Sequence, residues 1–126
     1  MGRSRTRAAG IVLTGLGAWA ASPAAAFEGR YTAGGAGYEQ SLVVTKTPTG
    51  FRGKIYVATR GCVGEFVGTG RPKGGTLVLR GRQDTFECQL TLRPTAAGVL
   101  DVAEDACLTF HGTACEFSGS YKRQAR

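Results

Sequence analysis

The stretch FECQLTLR, Phe86 to Arg93, places Phe86, Cys88, Leu90 and Leu92 on one parity and Glu87, Gln89, Thr91 and Arg93 on the other. Successive side chains of an extended strand point to opposite faces, so this segment reads as a half-buried β-strand. Phe51–Thr59 repeats the pattern, with Phe51, Ile55 and Val57 inward against Arg52, Lys54 and Tyr56. Leu42 and Val44, Phe66, Leu77 and Leu79, and Leu100 and Val102 are the inward residues of neighbouring segments. Strands are expected at about Gly29–Ala33, Glu39–Lys46, Phe51–Thr59, Gly64–Arg71, Thr76–Arg82, Phe86–Arg93, Val99–Glu104 and Ala114–Tyr121. The linkers TAGGAGY, TPTGF, RPKGGT and RPTAAG carry the Gly, Pro and Thr of tight turns. No stretch after residue 26 keeps a 3.6-residue apolar period. The expected fold is all-β: a small antiparallel meander β-barrel of about eight strands, stapled by disulfides at one rim. Roughly sixteen large inward side chains fill a barrel of that size and leave no spacious lumen.

The two ends of this region share a pattern. Phe27-Glu28-Gly29-Arg30-Tyr31 and Phe117-Ser118-Gly119-Ser120-Tyr121 are both Phe-x-Gly-x-Tyr. The repeat predicts that the first and last strands pair, closing the meander so that no sheet edge is left.

Ahead of the strands stands an export signature. Arg3, Arg5 and Arg7 precede the uncharged run Ala8–Ala20, and Ala24-Ala25-Ala26 forms a small-residue exit. Charged start, short apolar stretch and small-residue exit are the parts of a secretory signal peptide. Residues 1–26 are therefore read as a signal, cleaved near Ala26/Phe27, with the protein periplasmic or secreted. Residues 27–121 are read as one β-barrel domain and 122–126 as a basic C-terminal tail, with no transmembrane segment after cleavage.

Of the 126 residues, 100 remain after cleavage, and Lys+Arg falls from 16 to 13 against 9 acids, a net +4. Lys122, Arg123 and Arg126 contribute three of those charges. This cluster is the candidate contact with an anionic envelope surface, and the body between is close to neutral in sum. A nucleic-acid partner is not expected, because the body shows no basic-aromatic stripe. An envelope protein is the other partner class considered.

Cys62, Cys88, Cys107 and Cys115 lie 26, 19 and 8 residues apart. An even number in a small exported chain reads as two disulfides, and these gaps match no zinc module. Strand alternation in a meander puts all four at one rim. His111 stands midway between Cys107 and Cys115, as though these two flank a hairpin loop. That symmetry favours Cys107–Cys115, leaving Cys62–Cys88.

His111 is the sole histidine, which excludes two-histidine metal motifs, and no serine stands in a G-x-S-x-G elbow. No catalytic residue, cofactor or metal is assigned. Glu65, Glu104 and His111 form a candidate rim site, and Glu104 shares inward parity with Leu100 and Val102. Carboxylates beside a histidine can move protons. The favoured reading is structural: Glu104 meets backbone amides or an arginine such as Arg60. The chain then reads as a non-enzymatic binding or envelope-associated module of the periplasm. The alternatives are a small hydrolase using Glu104 and His111, or an inhibitor of a secreted hydrolase. A net +4 disfavours an encounter with a basic lysozyme.

Gly61–Gly70 (GCVGEFVGTG), Cys88, Glu104–Cys107 and His111–Arg123 (HGTACEFSGSYKR) together resemble short exported proteins of Gram-negative bacteria with a terminal H-G-x-x-C-x-F-x-G-x-Y signature. The resemblance implies periplasmic residence and a small disulfide-bonded β fold. It brings no catalytic residue with it.

Overall fold

Among the described residues six connections are two residues long, and their chemistry sets the architecture. The computed structural model describes residues 23–125. One helical turn, α1 (Pro23–Phe27), leads into nine strands: β1 (Gly29–Gly35), β2 (Tyr38–Thr47), β3 (Gly50–Thr59), β4 (Cys62–Gly70), β5 (Pro72–Lys73), β6 (Thr76–Gln83), β7 (Phe86–Ala96), β8 (Val99–Asp105) and β9 (Gly119–Arg123). Gly37, Gly61 and Gly98 end three of the turns at φ 76°, 76° and 73°. L-residues with a Cβ rarely adopt that conformation, so glycine there lets the chain reverse at once.

Short reversals force neighbours in sequence to pair, and the result is a meander ordered β4-β3-β2-β1-β9-β8-β7-β6-β5. β4 also meets β6 at Thr69↔Arg80, which closes eight strands into a barrel. β5 is an extra two-residue strand that starts the hairpin into β6. As the repeated ends predict, β1 pairs with β9, at Tyr31↔Arg123 and Thr32↔Lys122.

The two Phe-x-Gly-x-Tyr copies do the same job. Tyr31 Oη donates to the Phe27 carbonyl at 2.8 Å, and Tyr121 Oη donates to the Phe117 carbonyl at 2.7 Å. Each tyrosine thus ties its strand to the segment leading into it, with a buried phenol satisfied four residues upstream. Burial pushes both phenols up from their ordinary pKa; for Tyr31 the adjacent Arg123 partly opposes this.

Strand parity builds the core. In β4 buried and exposed residues alternate from Cys62 to Thr69, and Leu42, Val44, Phe51, Ile55, Val57, Phe66, Leu77, Leu79, Cys88, Leu90, Leu92, Leu100 and Val102 are all buried. Phe86 departs from the expectation: it shares parity with Cys88 but is 52% exposed. It sits at the tip of the β6–β7 hairpin, where no facing layer remains.

The last strand also differs. The expected strand at 114–121 is found at Gly119–Arg123, and 106–118 form the one long connection among the described strands. Disulfides and a single bridge to β4 hold that connection in place of a strand of its own. Lys122 and Arg123 are consequently strand residues and not part of a free tail. The Arg123 guanidinium donates to the carbonyls of Ala25 and Glu28 and to Tyr31 Oη at 2.8–2.9 Å, and stacks on the Tyr31 ring. Arg126 lies outside the described residues.

Residues 1–22 of the expected signal also lie outside them. The expected cleavage point falls inside α1. On its C-terminal side the Phe27 ring packs edge-on against Phe51 at 5.8 Å and the Phe27 carbonyl serves Tyr31; on its N-terminal side Ala24 and Ala26 pack against the core and the Ala25 carbonyl accepts from Arg123. Among the described residues no helix is long and apolar enough to cross a membrane.

Candidate functional site

The connection 106–118 folds across one end of the barrel and is fastened to four strands. Two fastenings are covalent, Cys62–Cys115 and Cys88–Cys107. This corrects the expected pairing of Cys62–Cys88 and Cys107–Cys115. The symmetry of Cys107 and Cys115 about His111 treats the connection as a hairpin closed on itself. Instead its two cysteines reach opposite walls, one to the start of β4 and the other to β7.

The reach is possible because the barrel seam opens here. β4 and β6 are in register only at Thr69↔Arg80. Nearer the rim, β4 pairs with the connection: Gly64 bridges to His111, Glu65 N donates to the Phe110 carbonyl at 3.1 Å, and Gly112 N donates to the Val63 carbonyl at 3.3 Å. A Cβ on Gly64 would collide with His111 Cβ, so the close approach demands glycine. From β2, Gln40 Nε2 donates to the carbonyls of Glu116 and Ser118 at 3.0 and 3.1 Å. Tyr38 Oη accepts from Glu116 N at 3.1 Å.

At the centre lie Glu104, from β8, and His111. His111 Nε2–H donates to both Glu104 carboxylate oxygens, at 3.0 and 2.9 Å, and Nδ1–H donates to the Gly112 carbonyl at 2.6 Å. The Glu104 Oε1 also accepts from Phe117 N at 2.6 Å, while Glu104 N donates to Ser118 Oγ at 3.0 Å. The Phe117 ring stands edge-on to the imidazole at 4.9 Å. The side chains of His111 and Glu104 are only 2% and 15% exposed.

Each ring nitrogen faces an acceptor, so a proton on both satisfies both. Burial pulls the His111 pKa down, but the Glu104 hydrogen bond, the Gly112 carbonyl and the charges of Glu104 and Glu116 outweigh it. The net shift is upward, toward imidazolium.

The candidate rim residues therefore divide. Glu104 and His111 meet directly, and the carboxylate takes a backbone amide as the structural reading anticipates. Glu65 does not join them: it faces outward on β4 and pairs with Lys54 at 3.3 Å, both about half exposed. Outward parity explains this, since 63, 65 and 67 are exposed and 62, 64 and 66 buried. Gln40 escaped the sequence reading, although its place two residues before inward Leu42 marked a buried polar group in need of partners. Among the described residues no group of three His, Cys, Asp or Glu side chains is disposed to hold a metal ion.

One disulfide also sets the outer edge of this rim. Leu108 follows Cys107, and Phe86 stands two residues before Cys88; they are 69% and 52% exposed. Both are thus presented from backbone that the cross-link holds. No family profile, curated protein or solved structure matches the chain.

Proposed function

We propose that the chain is an exported, non-catalytic binding module, resident in the periplasm or secreted, that engages its partner through the stapled rim. The observation that carries this is the closure of the Glu104–His111 pair. A general base needs a lone pair within reach of substrate, whereas both ring nitrogens here are occupied and the imidazole is buried. The pair pins a loop and leaves no nitrogen to work with.

Two further observations support the reading. Two disulfides among four cysteines suit an oxidising compartment, in keeping with the Arg3–Ala26 export signature. The rim presents large apolar side chains, Leu108 and Phe86, on restrained backbone, and a restrained loop loses little entropy on binding.

The test has two arms. Panels of fluorogenic ester, amide and glycoside substrates should show no turnover that His111→Ala removes; turnover lost in that variant would restore the hydrolase reading. Envelope proteins captured on the immobilised wild type should be released by the pair Leu108→Asp and Phe86→Asp, and equal capture by both would remove the rim from the proposal.

A further inference from the structure

The near-neutral charge of the body conceals a sharp segregation. Residues 46–82 carry Lys46, Arg52, Lys54, Arg60, Arg71, Lys73, Arg80 and Arg82 against one acid, Glu65. Residues 83–121 carry Asp84, Glu87, Asp101, Glu104, Asp105 and Glu116 against Arg93 and His111. A meander keeps sequence neighbours together in space, so bases dominate the outer wall of β3–β6, while Glu87, Asp101 and Asp105 lie on β7–β8 and Glu104 is turned inward to His111.

Register makes the basic wall an array. Arg52 on β3 lies opposite Thr69 on β4, which lies opposite Arg80 on β6. One step toward the rim, Lys54 lies opposite Val67, and Arg82 follows Arg80 on the same outer parity. Strands about 4.8 Å apart and same-face residues about 6.7 Å apart space these four cations by roughly 7–10 Å around an uncharged centre. All four are exposed; Lys54 pairs with Glu65 at 3.3 Å and Arg82 lies opposite Glu87 in register, while among the described residues Arg52, Arg80 and Arg82 form no ion pair. Four cations against Glu65 and Glu87 leave a net positive face at separations near the Debye length, and an anion bridging Arg52 and Arg80 relieves their repulsion.

We propose that the outer face of β3, β4 and β6 is a docking surface for a linear acidic polysaccharide. Three of the four cations are arginines, whose planar forks match discrete carboxylate or sulfate groups. A strand of nucleic acid needs aromatic platforms for its bases, and Tyr56, the aromatic on the outer face of β3, is half-buried opposite Glu65. A bilayer favours protruding aromatic anchors at its interface, and the exposed apolar residues here are the short Val63 and Val67. This surface is the barrel wall, distinct from the rim proposed above, and either can fail without the other.

The experiment uses the oxidised protein and two probes, heparin for sulfate and polygalacturonate for carboxylate. With three or four contacts to a single-stranded polyanion, raising salt from 50 to 200 mM should weaken binding roughly 15- to 60-fold. The triple change Arg52→Glu, Arg80→Glu and Arg82→Glu should abolish binding, and the matching triple change to Gln should weaken it at least tenfold. Arg30→Glu, exposed on β1 and outside this face, should leave it unchanged. Near-UV circular dichroism confirms that each variant stays folded. Equal polymer binding by wild type and the triple Glu variant would overturn the proposal. So would failure to bind either polymer while phosphatidylglycerol vesicles or a single-stranded oligonucleotide of equal charge are bound.

Discussion

Replacing Glu104 by glutamine should invert the pH dependence of stability. In the wild type the His111 pKa is raised in the folded state, and the unfolded imidazole titrates near 6.5. The native state therefore binds the extra proton. Its stabilisation is complete below about pH 6.5 and is lost as pH rises through the folded pKa. In Glu104→Gln the side-chain carbonyl still accepts from Phe117 N, and the new amide can donate to a bare Nε2, so a neutral His111 remains satisfied. What disappears is charge assistance. A hydrogen bond to a charged group is worth about 1.5–3 kcal/mol against about 1 for a neutral one, so the loss is about 0.5–2 kcal/mol at pH 5.5 and close to zero at pH 9. With the carboxylate gone, burial dominates His111, and stability should rise between pH 5 and 7 where that of the wild type does not. Glu104→Ala is the harsher contrast: it strands the Phe117 amide at every pH, at about 1–3 kcal/mol, and at low pH it also leaves the buried imidazolium uncompensated, raising the cost to roughly 3 kcal/mol or more. Urea unfolding of the oxidised proteins at half-unit steps from pH 5 to 9 measures all three, and the difference profile cancels groups common to them. Parallel profiles for wild type and Glu104→Gln would refute the argument that the carboxylate holds a proton on His111.

Other outcomes follow from the same geometry. The Cys62–Cys115 link closes a separation of 53 residues and Cys88–Cys107 one of 19. On chain entropy their double-Ala variants should lose about 4 and about 3 kcal/mol, lowering the melting temperature by more than about 10 °C in each case, the first more than the second. Gly64→Ala should cost about 1–3 kcal/mol and speed amide exchange in residues 106–118 before the barrel strands, because the added methyl displaces His111. Tyr31→Phe and Tyr121→Phe should each cost about 1 kcal/mol in thermal unfolding, since each leaves one carbonyl without its phenol partner.

Alternation in Phe86–Arg93, Phe51–Thr59 and their neighbours was enough to read an all-β meander, because local pairing through two-residue turns leaves the topology few choices. The matching ends foretold the closing contact of β1 with β9, though not that each tyrosine bonds the carbonyl four residues before it. Glu104 with His111 was legible from inward parity and a shared rim. Glu65 is close to the rim in sequence, but outward parity on β4 turns it away from Glu104 and His111. The disulfide pairing was not legible: it depends on where the seam between β4 and β6 opens, a three-dimensional consequence of register. The excess of bases on β3–β6 is present in the sequence as the block 46–82. Summing charge over the body hid two blocks of opposite sign that the fold places on different walls.

The account rests on the connection 106–118 being fastened to both walls of the barrel, and disulfide mapping tests that most directly. Trypsin separates Cys62 from the other three at Lys73, Arg80 and Arg82. Chymotrypsin then cuts between Cys88 and Cys107 at Leu100, and between Cys107 and Cys115 at Leu108 or Phe110. Mass spectrometry of the unreduced digest should find Cys62 joined to Cys115 and Cys88 joined to Cys107. Peptides joining Cys62 to Cys88 and Cys107 to Cys115, or two free thiols in the native protein, would contradict it.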